Sequence, residues 1–210
     1  ETWLNGDHRD DRAIADISNT LPTHEIIPLP RLNRSGGGIA AIIRKGLTIT
    51  ENRPTHDYVA MECLDITLNA GNKYLQLISI YRPPPSKKNR LTPAMFFDDF
   101  SNFLDNLSTS QCNCLISGDF NFHMDVDDSD TTHLKDLIDS AAMEQHVNSV
   151  THEKGHILDL IITHSGSYFL SNLRTCMELP SDHAVLTCTL DFPRPPSFKV
   201  CRAQDRKSVV

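Results

Sequence analysis

The run Leu115-Ile116-Ser117-Gly118-Asp119-Phe120-Asn121-Phe122 ends an apolar segment at a glycine and then presents a carboxylate and a carboxamide two positions apart. Strand alternation carried past Gly118 puts both side chains on one face. An Asp can hold a divalent cation or take a proton from water, and an Asn can orient that water or a phosphate oxygen without adding charge. The pair suits attack on a phosphate ester, although Gly-Asp-x-Asn is also an ordinary turn sequence. A second pair, Asp182-His183, opens the apolar run Ala184-Val185-Leu186. A further carboxylate, Asp159, interrupts the apolar run Gly155-His156-Ile157-Leu158-Asp159-Leu160-Ile161-Ile162-Thr163. Burying that charge is costly without a partner, and an imidazole that it can orient is a natural one; a structural salt bridge elsewhere is the alternative.

The elements that must position these groups read as follows. Cys112, Cys114 and Ile116 alternate with Asn113, Leu115 and Ser117, a mix that predicts a central strand covered on both sides. Segments 58–68 and 73–81 alternate on either side of Asn69-Ala70-Gly71-Asn72 and predict a β-hairpin that delivers Tyr81 to a strand end. Pro83, Pro84 and Pro85 stop that strand, leaving Tyr81 and Arg82 at the sheet's rim. Thr92-Pro93 and the stripe Phe96, Phe97, Phe100, Phe103, Leu104 and Leu107 predict a helix over 93–107 whose aromatics are core. A second helix is expected over 131–143 with Leu134, Leu137, Ile138 and Ala141 inward, and a short polar helix or turn over 7–19. Strands are expected from Thr23 to Ile27 and Ile39 to Ile43, and the glycines 36–38 between them form a turn, since no Lys-Ser/Thr follows to make a phosphate loop. Many alternating strands with two strong helices argue for an α+β or two-layer β-sandwich core with helices outside.

The 210 residues fit one domain, and 39% hydrophobic with 22% charged residues is ordinary for a globular protein. No apolar run approaches the roughly 18 residues of a membrane span, and no signal segment opens the chain, so an intracellular protein of the nucleus or cytoplasm, without membrane contact, is expected. The six cysteines follow no zinc spacing and read as reduced thiols. A net charge of -7 argues against bulk electrostatic binding of nucleic acid, but Arg82, Lys87, Lys88 and Arg90 concentrate positive charge in one loop while seven aspartates crowd residues 119–139. His123, Asp125 and Asp128 fit no metal pattern and read, like most of the ten histidines, as solvated. Residues 193–210 read as a disordered tail or linker.

Taken with Ile80-Tyr81-Arg82-Pro83-Pro84, Leu158-Asp159-Leu160-Ile161 and Glu1-Thr2-Trp3, the two motifs resemble the endonuclease/exonuclease/phosphatase superfamily over residues 1–192. The nearest resemblance is to the apurinic-type endonuclease domain that precedes the reverse transcriptase of non-LTR retrotransposons. It implies a DNase I-like, four-layer α/β sandwich of two mainly antiparallel sheets flanked by helices. Because the family places an Asn-bearing strand ahead of the glutamate matching Glu1, the chain reads as N-terminally truncated and lacking its first strand. The resemblance implies Mg²⁺ (or Mn²⁺) held by Glu1 and Asp182. It makes Asp119, Asn121, His183, Asp159 and Tyr81 catalytic, with Asp159 bonded to His183, and gives Tyr81, Arg82 and Asn121 to substrate. The implied partners are DNA and a reverse transcriptase domain in cis, the chain itself being a monomer. Two other functions share these motifs: an inactive remnant, and a small-molecule or lipid phosphodiesterase on the same fold.

Overall fold

Strand 113–119 is covered on both faces, and the fold is built outward from it. The computed structural model describes residues 2–32, 36–53, 57–107, 112–178 and 180–195. In chain order the elements are α1 (His8–Thr20), β1 (His24–Leu29), β2 (Ile39–Arg44), β3 (Thr48–Asn52), β4 (Glu62–Ala70), β5 (Lys73–Tyr81), α2 (Pro93–Leu107), β6 (Asn113–Asp119), α3 (Ser129–Ser140), β7 (Met143–Gln145), β8 (Asp159–His164), β9 (Leu170–Cys176) and β10 (Val185–Leu190). A six-stranded sheet runs β3-β4-β5-β6-β8-β7, and β1-β2 and β9-β10 form two-stranded ladders. Every strand pair is antiparallel except β5 with β6.

Alternation sorts the side chains into two cores. Ile78 and Ile80 of β5, Cys114 and Ile116 of β6, and Leu160 and Ile162 of β8 meet the phenylalanines of α2 and Leu134 and Ile138 of α3. The opposite faces supply Leu64, Ile66, Leu68, Leu75, Leu115 and Ile161, which pack on Ile27, Leu29, Ile39, Ala41 and Ile43 from one ladder and Leu170, Leu173, Leu186 and Leu190 from the other. With α1 against β1 outside, the layers number four: helices, sheet, ladders, helix. No helix among the described residues is long and apolar enough to cross a membrane, which says nothing of strands.

Local chemistry moves several boundaries from their expected places. Helix α3 starts at Ser129 because Asp128 accepts from the Thr131 amide at 2.8 Å in a reciprocal capping box, and Met143 belongs to β7 rather than to the helix. Strand β4 begins at Glu62, since the Val59 and Ala60 amides are taken by Asp99 Oδ2 at 2.7 Å each and leave the ladder. Strand β8 begins at Asp159, so that carboxylate stands at a strand entrance and not inside an apolar run. Strands β3, β7 and β9 have no counterpart in the sequence reading. On α1 the sole buried residue is Asp10, whose carboxylate accepts from the Asn5 and Gly6 amides at 2.8 and 2.6 Å.

Candidate active site

Three strand ends meet at one edge of the six-stranded sheet. Tyr81, last in β5, pairs in register with Asp119, last in β6, and Asp119 lies opposite Asp159, first in β8. Gly118 is required here, because its φ is +147° and a Cβ would fall 1.8 Å from the Ile80 carbonyl oxygen. Alternation does not carry on to Asn121. After Phe120 donates its amide to the Leu158 carbonyl at 3.0 Å, Asn121 adopts a left-handed conformation with φ +51°. That turn folds the carboxamide back onto Asp119: the Asn121 amide donates to Oδ1 at 2.9 Å and its Nδ2 to Oδ2 at 2.8 Å. The same Nδ2 donates to the Arg82 carbonyl at 2.7 Å. With both N-H groups spent on acceptors, Asn121 turns only its Oδ1 outward, which can steer a water hydrogen but cannot donate to a phosphate oxygen.

His183 comes from the other layer. It precedes β10, and its Nδ1 donates to Asp159 Oδ2 at 2.8 Å. The loop between β7 and β8 makes this meeting possible. Gly155, at φ +88°, turns residues 151–156 back on themselves, with the Thr151 and His152 amides both donating to the His156 carbonyl. Fully buried Thr151 then does two jobs: its Oγ1 accepts from the Leu158 and Asp159 amides at 2.9 and 3.0 Å, and its carbonyl accepts from Ala184 at 2.7 Å. One residue thereby fixes both the Asp159 and His183 backbones.

Burial, and after it the facing charge of Asp159, push the Asp119 carboxyl up to about 6, against the bond from the Asn121 amide and the nearby imidazole. The bond to Asp159 raises His183 above its ordinary value, burial opposing. Near neutral pH Asp119 is therefore mainly ionised while His183 is drawn towards the imidazolium.

Arg82 departs from the expected rim position. It is 3% exposed, its Nη1 donates to the Asn121 carbonyl at 2.8 Å and the Phe120 carbonyl at 3.3 Å, and its guanidinium lies 3.7 Å from the Phe122 ring centroid. Burial lowers its pKa to about 10, and the group holds the Asp119-Asn121 turn from behind rather than facing substrate. Tyr81 is likewise 6% exposed, with the Arg31 guanidinium 6.0 Å from its ring; Arg31 pairs with Glu62 at 2.8 Å, and Glu62 also accepts from Gly38 at 2.7 Å. Asp182 is exposed beside His183. Glu1 lies outside the described residues. Asp125 accepts from the Ile157 amide at 2.8 Å and from His156 at 3.0 Å, and Asp128 caps α3.

The family model described as endonuclease-reverse transcriptase matches residues 75–187, more than half of the chain and every residue of this edge from Tyr81 to His183. The chain belongs to the endonuclease-reverse transcriptase family. Solved structures repeat the fold at low identity. The endonuclease domain of TRAS1, a telomere-specific non-LTR retrotransposon, aligns at 12% identity and TM-score 0.60, covering 87% of this chain and 93% of its own. The 3′ phosphatase NExo from Neisseria, bound to a product DNA hairpin, aligns at 15% and 0.60 (90% and 86%), and TDP2 from D. rerio with a single-stranded DNA product at 11% and 0.60 (86% and 82%). These likenesses establish the DNase I-like fold of endonuclease/exonuclease/phosphatase domains. Among curated proteins nothing matches.

At this edge, acidic and histidine side chains are grouped closely enough to hold a metal ion. Asp119, Asp159 and His183 offer ligand atoms within 4.8 Å of one another, as do His152, Asp182 and His183. The facing charge of Asp159, which after burial raises Asp119, is of the kind a metal ion offsets. Two residues at the edge, Thr151 and His152, have no place in the sequence reading. The signal that finds them is Gly155, which lets the chain reverse and sets Thr151 against Leu158 and Asp159.

Proposed function

We propose that this chain is a metal-dependent phosphodiesterase that nicks DNA, serving as the target-cleaving endonuclease of a non-LTR retrotransposon with a reverse transcriptase in cis. The observation that carries the reading is the Asp119 carboxylate, clamped by Asn121 and set beside the Asp159-His183 pair. A base needs a pKa near the working pH and a fixed orientation; burial raises the Asp119 carboxyl in that direction, and the Asn121 bonds hold it. It takes the proton of the attacking water, whose other hydrogen the Asn121 Oδ1 steers. His183, with Nδ1 committed to Asp159, presents Nε2; as imidazolium it donates to a phosphate oxygen as charge develops there. This divides the roles that the sequence leaves open, Asp119 as base and His183 as electrostatic donor. Asp182, and by resemblance Glu1, would hold Mg²⁺ or Mn²⁺, which when bound offsets charge on the phosphate and leaving oxygen. The family's description and the TRAS1 likeness support DNA as the substrate.

The test is nicking of supercoiled plasmid with Mg²⁺, with and without chelator, by the parent and Asp119→Asn. The parent should nick only with metal, and the variant, which keeps shape and loses charge, should be slower by about 10²- to 10⁴-fold. Equal rates would remove Asp119 from the chemistry. Cleavage of a small phosphodiester without plasmid nicking would move the substrate away from DNA.

A further inference from the structure

His152 is a largely buried residue at the edge of the site, its side chain 10% exposed, and no sequence pattern asked for it. Its Nδ1 accepts from the Lys154 amide at 3.1 Å. A backbone amide can only donate, so in the neutral ring the proton sits on Nε2. That Nε2 has no acceptor within hydrogen-bond distance among the described residues; the carboxylate it approaches is Asp182, with Oδ2 at 3.8 Å. The His152 ring also stands edge-on to His183, centroids 4.8 Å apart at 89°, and the two residues form a bridge between their loops. The Asp182 backbone is bolted to the same loop, its carbonyl accepting from Glu153 at 2.8 Å, while its side chain remains 63% exposed. The Nε2 donor of a largely buried imidazole thus faces an exposed carboxylate whose main chain is already fixed.

We propose that His152 is a positioning residue for Asp182: its Nε2-H holds the carboxylate in the orientation from which Asp182 ligates the divalent cation. The inference rests on the phosphodiesterase reading above and deepens it. Closing the gap by about 1 Å gives a charge-assisted bond. Ligating carboxylates are themselves hydrogen-bonded as a rule, because an exposed one loses affinity to its own rotations. The tautomer also excludes the rival role, since an Nε2 that carries a proton has no lone pair for a metal.

The experiment measures Mn²⁺ binding by electron paramagnetic resonance without DNA, on the parent, His152→Phe and His152→Gln. Phe keeps an aromatic ring against His183 and removes the donor; Gln restores one. The expected result is an Mn²⁺ dissociation constant raised about 10-fold in His152→Phe and largely recovered in His152→Gln. The nicking assay should show the same shift in half-activating Mg²⁺, with little change in rate at saturating metal. In an Asp182→Asn background the effect of His152→Phe should vanish. Parental Mn²⁺ affinity in His152→Phe overturns the inference and leaves the phosphodiesterase reading standing; a parent that binds no Mn²⁺ and does not nick overturns both. A long-range ¹H-¹⁵N spectrum of the parent needs no variant: His152 should carry its proton on Nε2 with and without Mg²⁺, and an Nδ1-H form overturns the inference.

Discussion

Two charged groups set the pH behaviour of the site at the scale of single residues. Asp119, raised from 3.8 to about 6, binds its proton more tightly folded than unfolded, so on its account the metal-free fold loses stability as pH rises across that interval. His183 is also raised, and its contribution is present below 6.5 and lost as pH climbs through the folded value. Both act in the same direction, and Asp119→Asn should flatten the fall in metal-free melting temperature between pH 4 and about 6. The 2.8 Å bond between His183 and Asp159 makes a second demand on nicking rates. Losses from His183→Ala and Asp159→Ala should be strongly non-additive in the double variant, since Asp159 has nothing to orient once the imidazole is gone; additive losses would separate the two. Arg82 supplies the third residue-scale case. Lys cannot bond two carbonyls and stack on Phe122 together, so Arg82→Lys should cost on the order of 2 kcal/mol in urea unfolding. A change in substrate KM without loss of stability would return Arg82 to the substrate.

The loop between β7 and β8 decides whether the two layers meet correctly. Thr151→Val keeps shape but strips the Oγ1 that accepts from Leu158 and Asp159. The buried Leu158 amide and the part-buried Asp159 amide then lose their acceptor, at a cost of about 1–3 kcal/mol for the buried one. The Asp159 entrance should loosen with them, so nicking should fall by more than the lost folded fraction explains. Unfolding curves and nicking rates on the same preparation check this; a fall in stability alone would leave Thr151 a structural residue.

The molecule as a whole couples its helical core to the reacting edge. Phe96 is fully buried against the rings of Phe97, Phe100, Phe120 and Phe122, and the Arg82 guanidinium lies 5.5 Å from its centroid. Phe120 and Phe122 flank Asn121, so the aromatic cluster is also the floor of the Asp119-Asn121 turn. Phe96→Ala should cost about 3–5 kcal/mol in denaturant unfolding, and nicking by the folded fraction should fall as well because Arg82 loses its packing. Undiminished activity per folded molecule would show that the floor is rigid without this ring.

The sequence by itself determined the elements with strong periodicity and the residues that break it. Alternation in β6, the phenylalanine stripe of α2, and Asp119 at a strand end follow from apolar patterning interrupted by charge, which local chemistry alone enforces; that Asp159 opens β8 and does not interrupt it came from the structure. The Asp159-His183 assignment came from the family resemblance and is matched by a bond in the structure. Tertiary structure decided what depends on contacts between distant segments. Gly-Asp-x-Asn allows a turn, but that Asn121 takes it left-handed is fixed by the Arg82 carbonyl 39 residues away. The inward turn of Arg82 follows from aromatic rings on another element, and the meeting of His152, Asp182 and His183 from a loop that joins two layers. In each case the deciding acceptor, ring or carboxylate lies dozens of residues from the group it holds, and sequence spacing carries no record of that distance.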